Sequence, residues 1–136
     1  MKEDKGKKEN LSLISELIKL AKVDNDVRAM EFQFLLSIAS QIGVTKEEFK
    51  KLFEQYIEFL PPKLEGDRIV QFHRLVLLMN VDSETNPSEI QYIKEAGMRM
   101  GLNPLAIKKV LAEMNNYPNK VIPTERLIEI FKLYHN

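Results

Sequence analysis

The chain has 136 residues, 44% of them apolar, and its twenty Lys and Arg balance twenty Asp and Glu. That length supports one core burying about two-thirds of the unfolded surface rather than two separate cores. The charge balance removes the overall basic footprint of a domain that binds duplex nucleic acid, and the lack of cysteine excludes thiolate catalysis, disulfides and cysteine zinc sites.

Residues 1–9 are charged and almost free of apolar groups, so they read as a flexible tail ahead of a single domain spanning 10–136. They contain no apolar h-region, and no later stretch approaches the ~18 apolar residues of a membrane span, so a cytoplasmic address is expected. Helical periodicity then predicts seven helices. The first covers about residues 11–22 with Leu13, Ile14, Leu17, Ile18 and Ala21 inward. The second covers about 29–42 and stops at Gly43, a residue suited to a left-handed helix end. The third opens on the capping box Thr45-Lys46-Glu47-Glu48, shows Phe49, Leu52, Phe53, Tyr56, Ile57 and Leu60 on one face, and is cut at Pro61-Pro62.

The fourth, about 67–80, carries Ile69, Phe72, Leu75, Val76 and Met79. Asn86-Pro87 starts the fifth, which Gly101 ends, and Asn103-Pro104 starts the sixth, which Tyr117-Pro118 ends. Thr124 caps a seventh, 124–135, with Leu127, Ile128, Phe131 and Tyr134 along one face. No segment alternates with period two for long enough to read as a strand.

Sliding the chain on itself by 58 residues aligns helices one to three with helices four to six, without a gap from Leu17 to Phe53. Leu17 meets Leu75, Val23 meets Val81, Asp24 meets Asp82, Glu31 meets Glu89, Gln33 meets Gln91, and Gly43 meets Gly101. Matched leucines alone would signal only two amphipathic stretches, but matched Asp, Glu, Gln and Gly signal duplication. The fold expected is all-α: two three-helix repeats, 11–60 and 67–115, related by a pseudo-twofold, plus a C-terminal helix closing the remaining groove against helix one.

The duplicated acids are the candidate functional residues. Glu31 lies four, seven, eight and eleven residues before Leu35, Ile38, Ala39 and Ile42, which sets it on the buried stripe in the first turn of helix two. Glu89 stands in the same relation to Ile93, Ala96, Gly97 and Met100. A capping-box bond accounts for Glu89, three residues after Asn86, and less well for Glu31, whose cap position holds Arg28, a poor N-cap. Asp24, Asp26, Asp82 and Glu84 occupy the preceding loops, either as solvated acids and caps or as oxygen ligands for a divalent cation. EF-hand loops are excluded: the sixth position from Asp24 or Asp82 is Ala29 or Pro87, and the twelfth is Leu35 or Ile93.

The run Leu-Ile-Lys-Leu-Ala-Lys-Val-Asp-Asn-Asp-Val from Leu17, with Glu31, Gly43-Val44-Thr45 and the weaker echo from Leu75 to Leu102, resembles the tellurite-resistance TerB family. The resemblance covers nearly all of the chain after the tail, although Asn25 and Ser83 stand where the family often has glycine. It implies a small helical bacterial protein with a duplicated acidic motif, metal-ion binding, and a place in assemblies at the inner face of the membrane. Asp24, Glu31, Asp82 and Glu89 fall on the family's acidic positions.

No serine or second histidine accompanies His73 or His135 by periodicity, so no catalytic triad or zinc hydrolase site is expected and the chain reads as a non-enzyme. His73 reads as a partly buried helix histidine. Lys50-Lys51 and Lys108-Lys109, with Lys46 and the lysine-rich tail, read equally as contacts for phosphates of a membrane surface or nucleic acid and as solvated faces, neighbouring glutamates dilute the patch, and no nucleic-acid partner is expected. Two function classes remain. One is a sensor or adaptor binding a divalent cation (Ca, Mg, Mn or Zn) through Asp24, Asp26, Glu31, Asp82, Glu84 and Glu89. The other is a metal-free module that docks a protein partner through its acidic pole or through Phe32/Phe34 and Ile90/Tyr92.

Overall fold

The computed structural model describes residues 2–24, 26–82 and 85–135, with side chains from residue 6 onward. Seven α-helices follow in order: α1 Lys2–Ala21, α2 Ala29–Gln41, α3 Lys46–Glu54, α4 Glu65–Met79, α5 Pro87–Arg99, α6 Pro104–Glu113 and α7 Thr124–Leu133. Two short 3-10 turns, Met114–Asn116 and Pro118–Lys120, lead from α6 into α7, and there is no strand among the described residues.

The local signals act where the sequence placed them. Gly43 and Gly101 take φ of 79° and 76°, the left-handed region that costs other residues roughly 1–2 kcal/mol. Behind each glycine the chain closes the helix in the same way, Val44 N–H donating to Ala39 O at 2.8 Å and Leu102 N–H to Gly97 O at 3.0 Å. Thr45 accepts the Glu48 N–H while Glu48 accepts the Thr45 N–H, completing the capping box of α3. The bounds of α2 and α5 differ by the repeat offset at both ends, as do the starts of α3 and α6.

Two boundaries differ from expectation. The segment expected to be a flexible tail is helical from Lys2, and Lys7 is anchored: its Nζ donates to Gly43 O at 2.6 Å and lies 2.9 Å from Glu48 Oε1. The amine thus serves the C-terminal end of α2 and the acid of the α3 capping box together. The third helix stops at Glu54, and Tyr56, Ile57 and Leu60 lie on irregular chain running to Pro62. Proline disfavours helical backbone in the residue before it, and α1 captures the released chain. Ser15 Oγ accepts the Ile57 N–H at 3.3 Å, Ser12 Oγ accepts the Leu60 N–H at 3.1 Å, and Lys22 Nζ donates to Phe53 O at 2.6 Å.

One continuous core joins the units: Leu17, Leu20, Leu75 and Leu78 are all fully buried, with Phe49 and Phe72 among the largest buried side chains. α1 packs on α4 and α5, and α4 in turn on α2, so the central helix of each unit touches the other unit. At the α1/α4 crossing Gln71 Nε2 donates to Leu13 O at 3.1 Å, and these residues are themselves one repeat offset apart. The outer elements pack differently in the two units, since α3 packs on α1 whereas α6 does not pack on α4. α7 packs there instead, on α4 and α6, and not on α1 as expected. The reason lies in matched positions. Ser15 corresponds to His73, which bonds Ile122 O at 3.2 Å in the lead-in to α7, so each unit's central helix is covered by a different piece of chain.

Candidate functional site

Glu31 and Glu89 occupy the first turns of α2 and α5 and are each only 5% exposed. Their burial follows from the helical register that sets each below the apolar stripe of its helix. The capping roles are the reverse of those expected. Glu31 Oε1 accepts the Arg28 N–H at 3.0 Å, because this half of a capping box needs only the backbone of the cap residue, which arginine supplies as well as serine does. At α5 the Asn86 side chain accepts the Ser88 N–H at 2.8 Å, the Glu89 N–H donates to Asn86 O at 3.0 Å, and the Glu89 carboxyl has no hydrogen bond with the described residues.

Burial and mutual repulsion shift both carboxyls. Burial raises Glu31, its bond to the Arg28 N–H pulls it down, and the charges of Asp82 and Asp24 push it up again. Glu89 is pushed up to about 7, first by burial and then by Glu31, Asp24 and Asp82, with Arg28 opposing. The two glutamates and the repeat-related aspartates therefore lie near enough for their charges to act on one another. Four of the six acids singled out in the sequence form one electrostatic group.

The loop geometry supplies the rest. Asp24 Oδ1 accepts the Asp26 N–H at 3.2 Å, a turn that leaves Asp26 itself exposed and apart from the group that shifts Glu31 and Glu89. Glu84 lies outside the described residues. The second loop is braced by Thr85, whose hydroxyl donates to Asn80 Oδ1 at 3.3 Å and accepts from Lys120 Nζ. Among the described residues no three carboxylates or histidines are gathered closely enough to hold a metal ion together.

Arg28 is the residue at this junction that periodicity missed. Its guanidinium forms an ion pair with Asp82, reaching from the cap of α2 in one unit to the acidic loop of the other. The signal in the sequence was a poor N-cap at a position where the second unit has Asn86. A residue out of place for its local role serves a long-range one. A buried charge also went unseen: Glu16, 2% exposed on α1, pairs with Arg99 of α5 at 3.1 Å, where the guanidinium lies over the Tyr92 ring.

The other candidates have structural partners. Neutral imidazole is favoured at half-buried His73, whose Nε2–H is spent on Ile122 O. His135 lies 3.4 Å from Glu65. Lys50, Lys51, Lys108 and Lys109 are exposed. Phe32, expected on a docking face, stacks edge-on against Phe49 at 5.4 Å between ring centres, and Tyr92 is half-buried under Arg99. A groove of about 270 Å³ between α4 and α7 is lined by Ile69, Val70, His73, Leu127, Ile128 and Phe131. No family model, no curated protein sequence and no solved structure matches the chain.

Proposed function

We propose that this chain is a non-catalytic, TerB-like helical adaptor whose acidic junction between the two units binds a hard divalent cation. The observation that carries the reading is Glu89, 5% exposed, whose carboxyl has no hydrogen-bond donor among the described residues and feels the charges of Glu31, Asp24 and Asp82. A buried acid in that setting is costly as an anion unless a cation compensates it. The donors are all carboxylates, which favours calcium, magnesium or manganese over zinc. In this reading the ion ties α2 to α5 and so couples the units, and the exposed faces carry a protein partner. No helix among the described residues is long and apolar enough to cross a membrane, so a role in a membrane assembly at the cytoplasmic face would be peripheral.

The test is a melting titration of chelator-treated protein with calcium, magnesium, manganese and zinc, beside the double variant Asp24→Asn/Glu31→Gln. A site on the native state adds about 2.7 kcal/mol at a hundredfold excess over Kd. The expected result is a saturable rise with one of the oxygen-preferring ions that the variant lacks.

One observation favours a second reading, a metal-free interaction module: the acids interact but no three of the described ones stand within ligating reach of a common point. A flat response to all four ions selects that reading.

A further inference from the structure

We propose that the groove between α4 and α7 is a binding site for one unbranched fatty acid, which lays its aliphatic chain along Ile69, Leu127 and Phe131 and sets its carboxylate beside Lys132. The site is independent of the cation reading above, since none of its residues belongs to the acidic junction.

The repeat explains why this surface is open. Continued along the first helix of each unit, the offset of 58 residues sets Ser12 against Val70 and Ser15 against His73. On α1 this face is filled by the chain that follows α3, whose Ile57 and Leu60 N–H groups donate to Ser15 and Ser12, and both serines are fully buried. On α4 the cover is different. His73 bonds Ile122 O in the lead-in to α7, and α7 then lies along α4 without closing the space between them. Ile69, Leu127 and Phe131 make a floor at most 8% exposed, while Val70 and Ile128 stand 44% and 41% exposed.

The lining selects the class of occupant. Polar side chains stand only at the two ends, His73 and Thr124 at one and Glu65, Lys132 and His135 at the other, and every lining side chain between them is apolar. A peptide laid there would bury backbone N–H and C=O groups without partners, because Val70 stands where Ser12 supplies an acceptor on α1. An aliphatic chain has no such groups to satisfy. The groove's 270 Å³ holds about nine groups of the size of a water, at ~30 Å³ each. From Glu65 to His73 the helix rises about 12 Å, the extended length of a chain of about ten carbons. Charge places the head: His135 lies 3.4 Å from Glu65, whereas Lys132, in the last turn of α7, has no ion pair among the described residues and is left to meet a carboxylate.

The experiment is calorimetric titration of the full chain with octanoate, decanoate and 1-octanol, each at concentrations where it is monomeric, for the wild type, Ile128→Glu and Lys132→Ala. Both substitutions fall at exposed positions; circular dichroism checks that the helices are kept, and Val70→Glu takes the place of Ile128→Glu if that variant does not fold. The wild type is expected to bind one decanoate per chain, about fifteenfold more tightly than octanoate, since each buried methylene contributes about fourfold. Ile128→Glu should weaken decanoate by about tenfold or more, because a charge then stands on the apolar path. Lys132→Ala should weaken octanoate about threefold and leave 1-octanol unchanged. No saturable binding by the wild type, or binding that Ile128→Glu leaves intact, overturns the site. Octanoate affinity unchanged in Lys132→Ala, or lowered equally with that of 1-octanol, overturns the placing of the carboxylate. A wild type that sediments as a dimer and becomes monomeric in Ile128→Glu gives the groove to a second copy of the chain, which also overturns the proposal.

Discussion

Glu89 is buried with no donor to its carboxyl among the described residues, and the cost of its charge depends on pH. Its folded pKa of about 7 lies above the ordinary 4.5, so the folded chain holds a proton that the unfolded chain has released between those values. Stability therefore falls as pH rises from 4.5 to 7, by about 3 kcal/mol for a shift of this size, and the loss is complete above pH 7. Glu89→Gln removes the penalty. In the absence of metal it is expected to stabilise the protein by about 1–3 kcal/mol at pH 8 and to flatten the slope between pH 4.5 and 7. Melts of the two proteins across that range check this, and an unchanged slope would remove Glu89 as its source. The burial of Glu31 and Glu89 was legible in their helical register. The pairing of Arg28 with Asp82 was not, because no local pattern links residues of two loops that meet only after folding.

At the scale of the element, the third helix shows how tertiary hydrogen bonds overrule periodicity. Tyr56, Ile57 and Leu60 continue the apolar stripe of Phe49 and Leu52, yet the chain leaves the helix after Glu54. Ser12 and Ser15, both fully buried on α1, hold the following chain by its backbone. Removing the Ser15 hydroxyl leaves a half-buried N–H without its partner, at a cost of about 1 kcal/mol or more, up to about 3. Ser15→Ala is expected to lose that much, with amide exchange accelerated at Ile57 in particular; protection retained there would show that packing alone holds the segment. Serines on an apolar stripe carry no sequence mark that distinguishes a clamp from a tolerated small residue. The opposite holds for the helix ends at Gly43 and Gly101, where backbone geometry demands glycine and the sequence announced it.

For the whole molecule, the repeat is a statement about interfaces as well as elements. The central helices α1 and α4 cross at Leu13 and Gln71, their core leucines pack in one cluster, and Glu16 reaches Arg99 across the same junction. Neither unit has an apolar face left to form a core by itself. The two are expected to unfold together: calorimetric and van't Hoff enthalpies should agree, with circular dichroism tracing the same transition. A second, resolved transition would mean that one unit is stable alone.

The sequence by itself determined the all-α class, the number of helices, the helix ends at Gly43 and Gly101 and the helix starts at Pro87 and Pro104, because each is written in residues at most a few turns apart, and the duplicated pattern of apolar and acidic positions, because it is read by comparing the chain with itself. Tertiary structure decided where α3 ends, how far α1 extends, and that α7 rather than a repeated segment covers α4. It also decided that Arg28 stands among the acids. Each of these depends on a side chain meeting a backbone or charge dozens of residues away, as when Ser15 meets Ile57 or Arg28 meets Asp82. Such contacts form only once the core has brought distant segments together.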